Sequence, residues 1–92
     1  MFAVIYRFQV KAGYESQFES AWAQRTAEIK TENGGLGSRL HKSFDGSCWI
    51  AYAQWPSREI LQAAGAQVSD SAARSAMQEA CEKIETLHEL DV

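Results

Sequence analysis

The sequence predicts a single α+β domain, residues 1–92, built in the order βαββαβ. Three observations carry that prediction: strict alternation at the N-terminus, an Asp-Gly pair between two further alternating runs, and two stretches at helical spacing placed around that hairpin.

Phe2, Val4, Tyr6, Phe8 and Val10 alternate with Ala3, Ile5, Arg7 and Gln9, a pattern rich in strand formers. Gly13 closes this first strand. Phe18, Ala21, Trp22, Arg25 and Ile29 then recur at helical spacing until Asn33, Gly34 and Gly35 supply a stop. Residues 36–44 read as strand two, and Asp45-Gly46 is the pair favoured by a two-residue type I′ turn. Residues 47–55 return as strand three, after which Pro56 blocks further pairing. Ser57 is placed to cap a short helix through residue 64, with Gly65 as its interruption. A second cap at Ser69 or Asp70 opens a helix carrying Ala73, Ala76, Met77, Ala80 and Cys81 on one stripe. Residues 85–92 read as the last strand. Right-handed crossovers then give a four-stranded antiparallel sheet with both long helices on one face.

A hydrophobic fraction of 46% suits a folded globule, and 92 residues leave no room for a second core. A net charge of -3 without a basic run gives no footprint for a polyanion, so nucleic acid is not an expected partner. The apolar N-terminus alternates into Arg7 and Gln9, which suits a strand better than a signal peptide, and no stretch reaches membrane-spanning length. A cytoplasmic protein is therefore expected. Cys48 falls in a predicted strand and Cys81 in a predicted helix, where both read as reduced apolar residues.

The hairpin also assigns faces. Pairing Phe44 with Ser47 sets Lys42 opposite Trp49, Leu40 opposite Ala51 and Leu36 opposite Trp55, the side shared with Phe2, Val4 and Phe8. That side should meet the helices. The other side sets His41 beside Ile50 and Arg39 beside Tyr52, with Cys48, Ala3 and Ile5 near, so strand three is apolar on both sides. Two helices about 10 Å wide cover one sheet face only. An apolar second face predicts a homodimer whose sheets pack together.

The βαββαβ order, the Asp45-Gly46 hairpin and the segment from Tyr52 to Ala64, YAQWPSREILQAA, together resemble the antibiotic biosynthesis monooxygenase (ABM) family. That resemblance implies a ferredoxin-like fold that pairs into a dimeric α/β barrel, with a ligand cavity between the helices and sheet of each subunit. It also implies a cofactor-independent monooxygenase acting on an aromatic or quinol-type molecule, with no cofactor and no metal. The alternative is a non-catalytic dimer of the same fold that binds a small ligand or is purely structural. Family members often carry a histidine nine residues after the tryptophan, where this chain has Ala64. The haem-degrading branch fits less well: its asparagine, tryptophan and axial histidine would fall at Tyr6, Ala64 and near Arg74.

Within that expected cavity the candidate substrate-binding residues are Tyr6, Trp22, Arg25, Trp49 and Trp55. Tyr6 offers a hydroxyl among apolar neighbours, either to substrate or to the opposite layer. The tryptophans could cage a planar ligand, although core packing explains them as readily. Arg25 sits on the apolar stripe of the first helix, where it could hold an anionic oxygen; the simpler expectation leaves its guanidinium in water. His41 is the best general base by type, yet its register turns it toward a partner subunit. His88 belongs to the opposite edge, and no third ligand joins the two histidines into a metal site. Phosphate loops, nucleophile elbows and CxxC pairs are absent.

Overall fold

The computed structural model describes residues 1–67 and 71–92. In chain order the elements are β1 (Phe2–Val10), α1 (Glu15–Glu32), β2 (Gly37–Lys42), β3 (Trp49–Trp55), α2 (Arg58–Gln67), α3 (Ala72–Ala80) and β4 (Cys81–Asp91). The strands form one antiparallel sheet in the order β2-β3-β1-β4, with β1 and β3 central. This is the ferredoxin-like α+β arrangement that the alternating runs predict.

Lys42 pairs with Trp49, Leu40 with Ala51 and Arg39 with Tyr52, as expected. The turn behind this register is not the expected one. Ser43 N–H reaches Cys48 O at 2.9 Å and Gly46 N–H reaches Ser43 O at 2.9 Å, which closes a longer loop. Gly46 has φ 75° but Asp45 has no positive φ, and a type I′ turn requires both. Asp45 instead folds its carboxylate onto the loop, accepting from Ser47 N–H at 2.9 Å, Ser47 Oγ at 2.7 Å and Ser43 Oγ at 2.8 Å. Chiefly the backbone bond from Ser47, then the hydroxyl bonds, lower its pKa to about 2. The register survives because the loop lengthens by one residue on each side, which leaves the pairs behind it unchanged.

α1 ends where the glycines predict. Asn33 N–H and Gly35 N–H both donate to Ile29 O, at 3.0 and 3.1 Å. A Cβ at Gly35 would meet Ile29 Cγ2 at 2.5 Å, so this close turn requires glycine.

Other boundaries depart from the sequence expectation. α2 continues through Gly65 to Gln67, since one glycine costs a helix interior only about 1 kcal/mol. The candidate caps Ser69 and Asp70 lie outside the described residues. The cap of α3 is Ser71, whose Oγ accepts from Arg74 N–H at 3.1 Å. Cys81 opens β4 rather than ending a helix, and the strand begins there instead of at residue 85. Pairing explains this: Cys81 lies opposite Val10, and Lys11 N–H donates to Ala80 O at 2.8 Å, so the sheet takes up the chain directly from the helix. Cys48 precedes β3 as the last residue of the hairpin loop. Both thiols are free, with Cys81 buried and Cys48 half-buried.

The layer between helices and sheet holds two apolar clusters. One gathers Phe8, Phe18, Trp49, Ala51, Ala80 and Cys81; the other gathers Phe2, Val4, Trp55 and Ala64. Tyr6 packs against both and marks their seam.

β4 carries two irregularities against β1. Tyr6 pairs with Thr86 but Ile5 with His88, leaving Leu87 surplus, and Glu82 is surplus between the Gln9 and Val10 pairs. Such bulges change which face later residues occupy. Beyond Leu87, His88 lies beside outward-facing Ile5, while Glu89 lies beside inward-facing Val4.

On the face away from the helices, Ile5 sits between Tyr52 and His88, and Arg7 between Ile50 and Glu85. Arg7 donates to Glu85 Oε1 through Nε at 3.0 Å and Nη2 at 2.7 Å. Ile5, Ile50 and Tyr52 are half-buried, and Leu90, beside Ala3, is exposed.

Candidate functional site

A cavity of about 280 Å³ opens at the seam between the two clusters. β1 contributes Tyr6 and Phe8 to its floor, and β3 contributes Ala51, Ala53 and Trp55. The small side chains of Ala51 and Ala53 leave the space that larger strand residues would fill. α1 supplies Trp22, Arg25, Thr26 and Ile29, α3 supplies Arg74, Met77 and Gln78, and Gly37 and Ser38 of β2, Gln54 of β3 and Ile84 of β4 complete the wall.

Four of the five residues expected from sequence therefore meet around one space: Tyr6, Trp22, Arg25 and Trp55. Trp49 does not line it. Its ring packs 5.6 Å from Phe18 in the first cluster, and the Lys42 ammonium lies 5.5 Å from its ring centre. Trp49 occupies the same sheet face as Trp55 but lies at the far end of β3, beneath the first half of α1.

Arg25 differs from the simpler expectation of a solvated head group. Its side chain is only 12% exposed, and Nη1 lies 3.4 Å from Glu28 Oε1. Glu28 also accepts from Ser71 Oγ at 2.7 Å, so α1 and the cap of α3 are joined beside the cavity wall. The guanidinium is thus held in the layer rather than released to water.

The Tyr6 phenol has its pKa raised, first by burial and then by the negative charge of Glu89. It remains protonated at neutral pH and can donate a hydrogen bond to a ligand.

Two of the lining residues, Trp55 and Ser38, each bury a side-chain polar atom, Nε1 and Oγ, that has no hydrogen-bond partner among the described residues. Buried polar groups are ordinarily paired, because each unpaired one costs about 1–3 kcal/mol. Ser38 was not legible as a site residue. A lone serine in an edge strand carries no motif, and only its inward register beside Leu40 hints at its place.

His41 and His88 lie on the opposite face, against Ile50 and Ile5, so neither reaches the cavity from this chain. Ala64 is 3% exposed in the second cluster and brings no ionisable group to the position expected of a helix histidine. Among the described residues, no three His, Cys, Asp or Glu side chains gather into a metal-binding group, and no helix is long and apolar enough to cross a membrane.

A ferredoxin-like sheet with its cavity beneath the helices defines the class, and the comparisons give the family. The chain belongs to the antibiotic biosynthesis monooxygenase family, which it matches over residues 1–80. Its fold is similar to that of SnoaB, a cofactor-independent oxygenase from Streptomyces nogalater. The two are 20% identical with a TM-score of 0.83, over 99% of this chain and 91% of SnoaB. It is likewise similar to Rv0793 from Mycobacterium tuberculosis, at 21% identity and a TM-score of 0.75, over 99% of this chain and 96% of that one. At these identities the likeness is one of fold. Comparison with curated proteins finds no match.

Proposed function

We propose that the protein is a homodimer that binds an aromatic or quinol-type small molecule between its helices and sheet, and oxidises it with O₂ as a cofactor-independent monooxygenase. The observation that carries this reading is the largely apolar cavity itself, around which Tyr6, Trp22, Arg25 and Trp55 meet. A planar molecule would fill its apolar walls and set a polar group against the Tyr6 phenol or the Arg25 guanidinium. Family membership and the fold shared with SnoaB support the choice of reaction.

The chemistry asks little of the protein. A substrate with an activated CH₂ beside an aromatic ring loses a proton and becomes an electron-rich anion. It passes one electron to O₂, and the two radicals join as a C–O bond. The protonated hydroperoxide then loses water, for a balance of R₂CH₂ + O₂ → R₂C=O + H₂O. Arg25 would stabilise the anionic oxygen, Tyr6 would donate to it as a neutral phenol, and the apolar walls would exclude water. With no imidazole from this chain at the cavity, the first proton leaves by virtue of the substrate's own acidity.

Oxygen uptake measured at an electrode with a panel of quinols and of hydroxyaryl ketones that carry an activated CH₂ tests the reading. The native protein should consume O₂ with at least one of them, and the triple variant Tyr6→Phe, Trp55→Ala, Arg25→Ala should not. Equal uptake by both proteins would remove the cavity from catalysis.

A second reading, a dimer that binds such a ligand without turning it over, is favoured by Ala64 and by the outward placement of both histidines. Quenching of tryptophan fluorescence by menadione without O₂ uptake would select it.

The dimer itself is proposed from the uncovered sheet face. Ile5, Ile50, Tyr52 and Leu90 form an apolar surface around the Arg7–Glu85 pair, and a second copy packed sheet to sheet would bury it.

A further inference from the structure

We propose that a second copy of the chain docks with its β4 against β2 and seats its Leu90 in a hollow at Gly37, so that the partner's strand closes the back of the cavity wall. The proposal rests on the dimer argued above, and adds which edges meet and what the contact does for the cavity.

The outward residues of the sheet form rows that run from one edge strand to the other. Gly37, Gln54, Ala3 and Leu90 make one row; Arg39, Tyr52, Ile5 and His88 make the next; His41, Ile50, Arg7 and Glu85 make a third. A two-fold axis relating two facing sheets lies in the plane between them. Directed along the strands, it reverses every row, so β2 faces the partner's β4. Directed across the strands, it stacks β2 on β2 and β4 on β4.

Charge chooses between these. β2 carries Arg39 and Lys42 and no acid, whereas β4 carries Glu82, Glu85, Glu89 and Asp91 against one base, Lys83. Stacking like edges would bring charges of one sign together. Reversed rows set a basic edge beside an acidic one.

Shape makes the same choice. An open hollow of about 310 Å³ lies at the β2 edge, lined by Leu36, Gly37, Ser38, Arg39, Tyr52 and Gln54. Gly37 leaves it unfilled, since a Cβ there would meet nothing within 4 Å. Leu90 stands exposed at the other end of the row that Gly37 begins. Reversing the row sets this leucine over the hollow. Aligned sheets cross at about 30°, which shifts their edges by about 4 Å, less than the ~7 Å between successive outward residues.

The hollow and the cavity have residues in common: Gly37, Ser38 and Gln54 line both. The wall between them is therefore a single layer of sheet. In one subunit its back stands open to water, and Leu90 of the partner subunit would close it. A ligand in the cavity then rests against a wall that two copies hold in place.

Cross-linking tests the orientation, in a Cys48→Ser background. A bifunctional methanethiosulfonate about 10 Å long, the separation of packed sheets, is added to Arg39→Cys, to His88→Cys and to the double variant. Only the double variant should run as a covalent dimer on a denaturing gel. A covalent dimer from either single variant overturns the proposed pairing of edges. So does a native protein that sediments as a dimer while none of the three cross-links. A native monomer overturns the dimer beneath the proposal as well.

The covalent dimer then reports on the wall, because its subunits cannot separate. Leu90→Ala in that dimer should weaken the quenching of tryptophan fluorescence by menadione about three- to tenfold, and Leu90→Met should preserve it. Equal menadione affinity with and without the leucine overturns the closing role while leaving the orientation. Absence of quenching in the native protein overturns that role together with the ligand reading on which it stands.

Discussion

The Ser71 hydroxyl donates to Glu28 Oε1 across 2.7 Å, joining the cap of α3 to the middle of α1. The same carboxylate oxygen faces Arg25 Nη1 at 3.4 Å. One side chain thus fixes both a helix start and a cationic group on the cavity wall. Glu28→Ala should lower stability by about 1–2 kcal/mol in urea unfolding, through the lost hydroxyl bond and the loosened cap. An unchanged midpoint would show that the helices hold together without it.

Phe18 has 0% exposure, with its ring 5.0 Å from Phe8 and 5.6 Å from Trp49. Phe18→Ala should cost about 3–5 kcal/mol, the range for truncating a fully packed aromatic. Chemical denaturation measures it, and a loss under 1 kcal/mol would mean that this cluster is not the packed part of the layer.

Asp45 gives the hairpin an acid dependence of known sign. Its folded pKa, about 2, lies below that of an unfolded aspartate, so its contribution is complete above the unfolded value and fades as pH falls through about 2. Asp45→Ala should therefore be less stable than the native protein at pH 7, and the gap should narrow below pH 4. Parallel melting curves across that range provide the check; a gap constant with pH would refute the role of the charged carboxylate.

Placing a charge in the proposed interface should separate the subunits. Ile5 lies between Tyr52 and His88 on the uncovered face, away from the cavity. Sedimentation should find a dimer for the native protein at micromolar concentration and a folded monomer for Ile5→Glu. A native monomer would end the dimer proposal.

The particular residues show what sequence can and cannot disclose. The face of every β3 residue followed from alternation and from loop parity, and that logic held although the turn type differed, because pairing depends only on which residues oppose each other across the loop. The start of β4 was hidden because Ala80 and Cys81 continue an apolar stripe with no glycine or proline between helix and strand. Only the tertiary pairing of Cys81 with Val10 decides it. Tyr6, Trp22, Arg25 and Trp55 could be grouped because aromatic and charged residues on inward positions are conspicuous. Trp49 shared their pattern, but its distance along β3 places it in the packed cluster. Ser38 and the alanines that shape the cavity were silent, since an empty volume is produced by small residues that match no motif.

The surplus residue Leu87 has a chemical consequence. Were it paired opposite Ile5, His88 would fall opposite Val4, on the side of the helices, and Glu89 would turn to the outer surface. Which side chain the edge strand turns toward the helices at this point is thus decided by a miscount of one between two neighbouring strands. A slip of the chain along its edge, with every amino acid retained, would import an imidazole and expel a carboxylate in the same movement.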